Sequence, residues 1–136
     1  LMNVLAEAAL GQGVYVVGVI PRHLLDKEVA HGGLDELLVV EDMLERKALM
    51  AKLSDTFVAI PGGVGTFDEI FEMLTWQQLG VHDKHCGILN VDGYFDPLAA
   101  LIENARTHGF VSNAHAKFLY FDDDPRRLLS RLLGNR

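Results

Sequence analysis

Cysteine is nearly absent. Cys86 is the single one in 136 residues, so no disulfide can close within the chain, and a buried structural thiol in a reducing compartment, the cytoplasm, is the expected setting. No unbroken apolar stretch is long enough to cross a bilayer, so no membrane contact is expected. Cations are in deficit: 12 Lys and Arg stand against 19 Asp and Glu, a formal net charge of −7. That balance argues against nucleic acid as a main partner, because proteins that track a phosphate backbone present excess Lys and Arg. Any anionic ligand must therefore meet a local positive site. Repeats, linkers and low-complexity segments are also missing, as is a basic segment ahead of an apolar one, so a secretory signal is not expected in these residues. What remains is an ordinary globular composition, 49% hydrophobic and 23% charged, too apolar for disorder. The length suits one domain, residues 1–136, with its own core.

The pattern along the chain alternates. Leu1 to Leu10 reads as helix without an N-cap residue in view, and Gly11 to Gly13 supply a stop. A strand and a glycine loop are expected to precede that helix outside the visible sequence. Tyr15 to Ile20 is a β-branched run closed by Pro21, and a polar connection leads to a second strand at Leu37 to Val40. Asp42, with Glu45 three residues on, has capping-box spacing for a helix reaching Leu53. Thr56 to Ile60 and Cys86 to Val91 read as strands, with a helix from Thr66 to Leu79 between them. Tyr94 to His108 is helical, Phe118 to Phe121 strand-like, and Pro125 sits in the first turn of a closing helix. Solidly apolar strands alternating with helices predict an α/β fold: a Rossmann-like, doubly wound parallel sheet with helices on both faces. Ligands bind such sheets beyond the carboxyl ends of the strands.

Pro61 to Glu69, PGGVGTFDE, falls at such an end. A helix start exposes unpaired N–H groups and about half a positive charge, and glycines allow both φ > 0 and close approach of a ligand. Gly62, Gly63 and Gly65 are read in that light. The loop lacks the Gly-Lys-Ser/Thr ending of a P-loop, and the third glycine of the dinucleotide fingerprint would fall at Asp68. A single phosphate, as on a mononucleotide, fits a loop this short; a tight turn with glycines serving geometry alone is the other reading. Thr66 followed by Glu69 has capping-box spacing, which explains both residues structurally. Functionally, Glu69 is a carboxylate placed to stabilise the oxocarbenium-like charge of glycosidic cleavage, with Glu72 one turn on. Arg46 and Lys47, in MLERKALM, read as a solvated helix face or as a clamp for phosphate or a sugar hydroxyl. His82 and His85 lack a third ligand at a recognisable spacing and read as loop or surface histidines. Phe67, Phe71 and Trp76 read as core or dimer contacts, and Asp122 to Asp124 as a helix start.

Three segments together resemble one family. LERK (Leu44 to Lys47), PGGVGTFDE and TWQQLGVHDKHCGILNVDGYFDPL (Thr75 to Leu98) are similar to the LONELY GUY proteins. Those are cytokinin riboside 5′-monophosphate phosphoribohydrolases, long labelled as possible lysine decarboxylases. The resemblance covers essentially the whole chain, including GVIPRHLLDKEVAH (Gly18 to His31), with Leu44 standing where the family usually has His or a similar residue. It implies a Rossmann-like homodimer that hydrolyses the N-glycosidic bond of N6-modified AMP, releasing free base and ribose 5-phosphate. It implies catalysis by Arg46 and Glu69. Phosphate and ribose would lie against Gly62, Gly63, Val64, Gly65 and Thr66, with Glu28, Lys47 and Thr75 also near substrate. No cofactor or metal is implied, and no residue stands out as the acid for the leaving base. Two other readings remain: a nucleotide-binding protein without catalysis, and an amino-acid decarboxylase, which would need pyridoxal phosphate on a lysine such as Lys47 or Lys52.

Overall fold

A computed structural model describes residues 1–25 and 33–134. The chain divides into two compact units, Leu1–Leu53 and Ser54–Arg136, each built on its own parallel sheet.

The first unit opens with α1 (Met2–Gly11), which ends where Gln12 and Gly13 return their N–H groups to the Ala9 and Leu10 carbonyls. Gly13 takes φ +72°, the left-handed conformation that stops a helix cheaply only at glycine. Strand β1 (Val17–Pro21) pairs in parallel with β2 (Glu36–Val40), from Val17 opposite Glu36 to Pro21 opposite Val40. Helix α2 (Met43–Leu53) follows. Ile20, Pro21, Val40 and Ala51 are buried. Asp42 caps α2 as expected, its Oδ1 accepting the Glu45 N–H at 2.8 Å. The return arm of the box is displaced by one residue, because Glu45 Oε2 accepts from the Glu41 N–H at 2.7 Å instead of from Asp42.

The second unit contains β3 (Phe57–Ala59), α3 (Val64–Gln78), β4 (Cys86–Leu89), α4 (Asp96–Thr107), α5 (Asn113–Ala116), β5 (Leu119–Asp122) and α6 (Pro125–Gly134). Its strands lie in the order β3-β4-β5, all parallel, with Phe57 opposite Cys86 and Cys86 opposite Leu119. The central strand is the most buried, as a strand covered on both faces must be. Ile88 and Phe95 are almost wholly enclosed among Ile70, Cys86, Leu98 and Leu119, each such side chain contributing about 1.5–3 kcal/mol by leaving water. Gly87 has a packing reason: a Cβ there would meet Leu132 Cδ1 at 2.7 Å and Leu128 Cδ1 at 3.0 Å, so glycine lets α6 close onto β4. Asp124 caps α6 by accepting the Arg126 and Arg127 N–H groups, each at 2.9 Å, matching the expected helix start.

Parallel pairing throughout, with flanking helices, makes this an α/β fold of Rossmann-like type. The differences from expectation are local. Helix α3 starts two residues earlier than Thr66, α4 two residues later than Tyr94, and α5 was not foreseen. That short helix is capped by Ser112, whose hydroxyl accepts the His115 N–H, a signal too brief to separate from a turn.

Burial pushes the Cys86 thiol up from its ordinary 9.0 to about 12. The fold thus disfavours the thiolate, and the stability tied to the neutral thiol is complete below the ordinary thiol range and is lost as pH climbs toward about 12. At about pH 8, iodoacetamide should leave Cys86 unmodified in the folded protein and alkylate it readily in denaturant, as read by mass spectrometry. Equal labelling in both states would contradict the burial.

Candidate active site

Strand β3 delivers the chain into Ile60-Pro61-Gly62-Gly63 at its carboxyl end, and α3 begins at once. The N-cap is Gly63, extended at φ −96° and ψ −151°, and no side chain caps the helix. The first helical bond runs from the Phe67 N–H to the Gly63 carbonyl, so the amides of Val64, Gly65 and Thr66 precede any helical acceptor. Val64 is 83% exposed. The capping box between Thr66 and Glu69 does not form, because the helix starts before Thr66 and both residues lie inside it.

The three loop glycines divide into two kinds, and none takes a positive φ, contrary to expectation. A Cβ on Gly62 would collide with Thr66 Oγ1 and lie 3.2 Å from Thr66 Cβ, so Gly62 is required by packing. A Cβ on Gly63 or Gly65 would meet nothing within 4 Å. Their bare backbone faces open space, where a ligand could approach.

A second turn holds the first. Asn90, at the end of β4, accepts the Phe95 N–H on Oδ1 at 2.7 Å and donates through Nδ2 to Asp96 Oδ1 at 2.7 Å. Between them Asp92 (φ 51°) and Gly93 (φ 72°) are both left-handed, a conformation that costs about 1 kcal/mol or more at Asp92. Tyr94 emerges from this turn, and its hydroxyl donates to the Gly62 carbonyl at 2.6 Å. The tyrosine ring stands edge-on to Phe95, centroids 4.9 Å apart, and Phe67 of α3 meets the Phe95 ring at 6.5 Å. Asp-Gly marks a turn in the sequence, but nothing in it announces a contact between residues 32 positions apart.

Glu69 lies partly buried in the second turn of α3, and Asp68 is exposed. Neither is in the first turn, so neither gains from the helix dipole. Thr75 lies eleven residues beyond Val64, about 16 Å along the axis. Its hydroxyl donates to the Phe71 carbonyl at 2.7 Å. It lines a cavity of about 150 Å³ with Phe71, Leu74 and Gln77, bounded also by residues of α4 and α5. Within the second unit, then, Thr66 packs over Gly62, Glu69 follows it about one turn along α3, and Thr75 stands apart.

In the first unit, Arg46 is not a solvated residue. It is 8% exposed, its Nη1 donates only to the weak acceptor Met43 Sδ at 3.9 Å, and its buried Nε has no hydrogen-bond partner among the described residues. A guanidinium removed from water without an anion is costly. Lys47, beside it, is partly buried, and Glu28 lies outside the described residues. His82 and His85 are packing residues more than surface ones: His82 tilts on Phe57 at 5.3 Å, and His85 stacks between Phe118 and Tyr120 at 4.9 and 5.1 Å. Burial, with Lys84 nearby, holds the His82 imidazole below its usual range. Among the described residues no three His, Cys, Asp or Glu side chains group as metal ligands, and no helix is long and apolar enough to cross a membrane.

This is an α/β unit of Rossmann-like type whose strand-end loop opens onto an uncapped helix start, a feature able to receive an anion. Comparison with known proteins narrows the class. Residues 2–132 match the family described as "Possible lysine decarboxylase", and the chain belongs to that family. It is 55% identical over 115 residues to a cytokinin riboside 5′-monophosphate phosphoribohydrolase of Rhodococcoides fascians, covering 84% of this chain and 58% of the relative. A "probable" enzyme of that name from Oryza sativa subsp. japonica is 50% identical over 111 residues, 82% of this chain and 50% of the relative. One from Arabidopsis thaliana is 41% identical over 132 residues, 97% and 62%. The chain thus spans about half to three-fifths of the length of these relatives.

Two sets of substitutions follow from this geometry. Gly62→Ala should lower Tm by about 5–10 °C through the clash with Thr66, whereas Gly65→Ala should hold or raise it, since alanine is better than glycine by about 1 kcal/mol inside a helix. Arg46→Met should leave Tm unchanged or higher, because it removes a buried cation that has no anionic partner among the described residues. Thermal melts decide both; a large fall for Arg46→Met would mean the guanidinium is a structural residue.

Proposed function

We propose that the protein hydrolyses the N-glycosidic bond of N6-modified adenosine 5′-monophosphate, releasing the free cytokinin or adenine base and ribose 5-phosphate. The observation that carries the proposal is the uncapped start of α3 over bare Gly63 and Gly65. The activity for which relatives 41–55% identical are named supports it. Residues 1–136 are taken as one nucleotide-binding catalytic domain, acting as a homodimer in the cytoplasm.

In this reading the amides at Val64, Gly65 and Thr66 hold the 5′-phosphate, and the helix dipole favours its charge. The anchored phosphate fixes the ribose for attack at C1′. Water forms the new C1′–O bond, the C1′–N bond breaks with its electron pair passing to the base, and the base takes up a proton. Glu69 stabilises the positive charge that develops on the sugar in between. Arg46 supplies a cation for substrate oxygens, a role supported by its buried guanidinium, whose Nε has no hydrogen-bond partner among the described residues. Lys47, Glu28 and Thr75 keep the binding roles that the family likeness implies.

The family's descriptive label suggests a different chemistry, decarboxylation through pyridoxal phosphate. The curated relatives carry the name of the hydrolase. Added pyridoxal phosphate should produce no aldimine absorbance.

Chromatography of reactions with nucleoside 5′-monophosphates and the corresponding nucleosides tests the proposal. Free base should appear from AMP or its isopentenyl derivative and not from the nucleosides. Glu69→Gln should lower kcat at least about 100-fold while Tm stays within about 2 °C, because Glu69 has no side-chain hydrogen bond or ion pair among the described residues to lose. Binding of nucleotide without any release of base would identify a non-catalytic binder instead.

A further inference from the structure

We infer that Tyr94 is a positioning residue for the phosphate-holding turn, acting through its hydroxyl on the Gly62 carbonyl. The inference rests on the proposed function and adds a residue to it.

Tyr94 is 48% exposed, so its hydroxyl could be satisfied by water. It instead bonds a loop carbonyl 32 residues away at 2.6 Å, from a turn that contains the one non-glycine residue with positive φ among those described. Strained backbone persists where the surroundings over-determine it. Here they do, since Asn90 fastens both the Phe95 amide and the Asp96 carboxylate, and a Cβ at Gly93 would lie 2.7 Å from Asp96 Oδ2. The strain sets where Tyr94 emerges.

The consequence for Gly62 is directional. Drawing its carbonyl toward Tyr94 fixes the peptide plane between Gly62 and Gly63, and the next peptide groups are those that enter α3 with N–H groups unpaired. Gly63 and Gly65 have no side chains and no packing neighbour to hold them. On one side Thr66 fills the place of a Gly62 side chain; on the other Tyr94 takes the carbonyl. Without the second tie the amides keep their chemistry and lose a fixed direction, which lowers affinity for a small anion more than it lowers stability.

Tyr94→Phe removes the hydroxyl and keeps the ring on Phe95. On the full-length protein, two measurements are made: inorganic phosphate binding by calorimetry, and base release from a nucleoside 5′-monophosphate. The expected result is phosphate binding about five- to tenfold weaker and KM raised by the same factor, with kcat within about twofold and Tm within about 3 °C, the scale of one hydrogen bond. Unchanged phosphate affinity in the variant overturns the inference, as does a wild-type protein that binds no phosphate. A fall in Tm beyond about 10 °C, with kcat lost and affinity kept, overturns it too, since that pattern is structural. If the wild type releases no base yet Tyr94→Phe weakens phosphate binding, the positioning role stands and the hydrolase reading falls.

Discussion

The turn between β3 and α3 depends on one missing methyl group. With no Cβ at Gly62, the Thr66 side chain occupies that space, and the helix can begin at Val64 under a Gly63 cap with no side chain to satisfy its first amides. A side chain at Gly62 would force either Thr66 or the turn to move, at the 1–3 kcal/mol typical of overpacking. Glycine there costs about 0.5–1 kcal/mol in chain entropy, so the exchange favours it. Gly63 and Gly65 have no such justification from packing. Two glycines that packing does not require lie beside amides that the helix does not use, and both features fit the proposed role of the turn in holding an anion.

A flexible turn would be of little use to a ligand, and the core below it removes that freedom. Phe95, almost fully enclosed beside Ile88, receives Phe67 from α3 on one side and Tyr94 on the other. The two aromatic contacts join the helix that follows the loop to the turn that holds its carbonyl, so the glycine segment hangs from a rigid frame at both ends. The β-sheet supplies the frame through β4, whose neighbour α6 comes close only because Gly87 has no side chain. The order of dependence runs from sheet to aromatic cluster to turn to amides.

Much of this architecture was legible in advance, since apolar runs alternating with helical periods are the residue-level cause of a parallel sheet. The strands at Val17–Pro21, Phe57–Ala59 and Cys86–Leu89 fall where those runs lie. What was misread shares one cause: short-range signals that tertiary contacts overrule. Thr66 with Glu69 has the spacing of a cap, but Gly62 draws Thr66 inward and the helix starts earlier. For Arg46 the solvated-face reading stood beside that of a clamp for phosphate or a sugar hydroxyl, and burial removes only the first, which helical spacing could not do without knowing what covers Glu-Arg-Lys. The tie from Tyr94 to Gly62 joins two strand ends, and only the strand order brings those ends side by side.

The net charge of −7 bears on how such a protein would select a nucleotide. At physiological salt the screening length is about 8 Å, so the bulk negative charge matters little once an anion is inside a turn, and local donors decide. Under the proposed reaction the phosphate is the same group in substrate, transition state and ribose 5-phosphate product. Donors that hold it equally throughout lower KM and cannot by themselves raise kcat. Their kinetic value lies in fixing the sugar relative to a group that acts only midway. A carboxylate meets that requirement, because the charge on C1′ exists in the transition state and in neither end state. Under that reaction the turn and Glu69, some five residues apart on α3, would divide the work in a way a single helix can hold rigid: one end would bind what does not change, and the next turn what does.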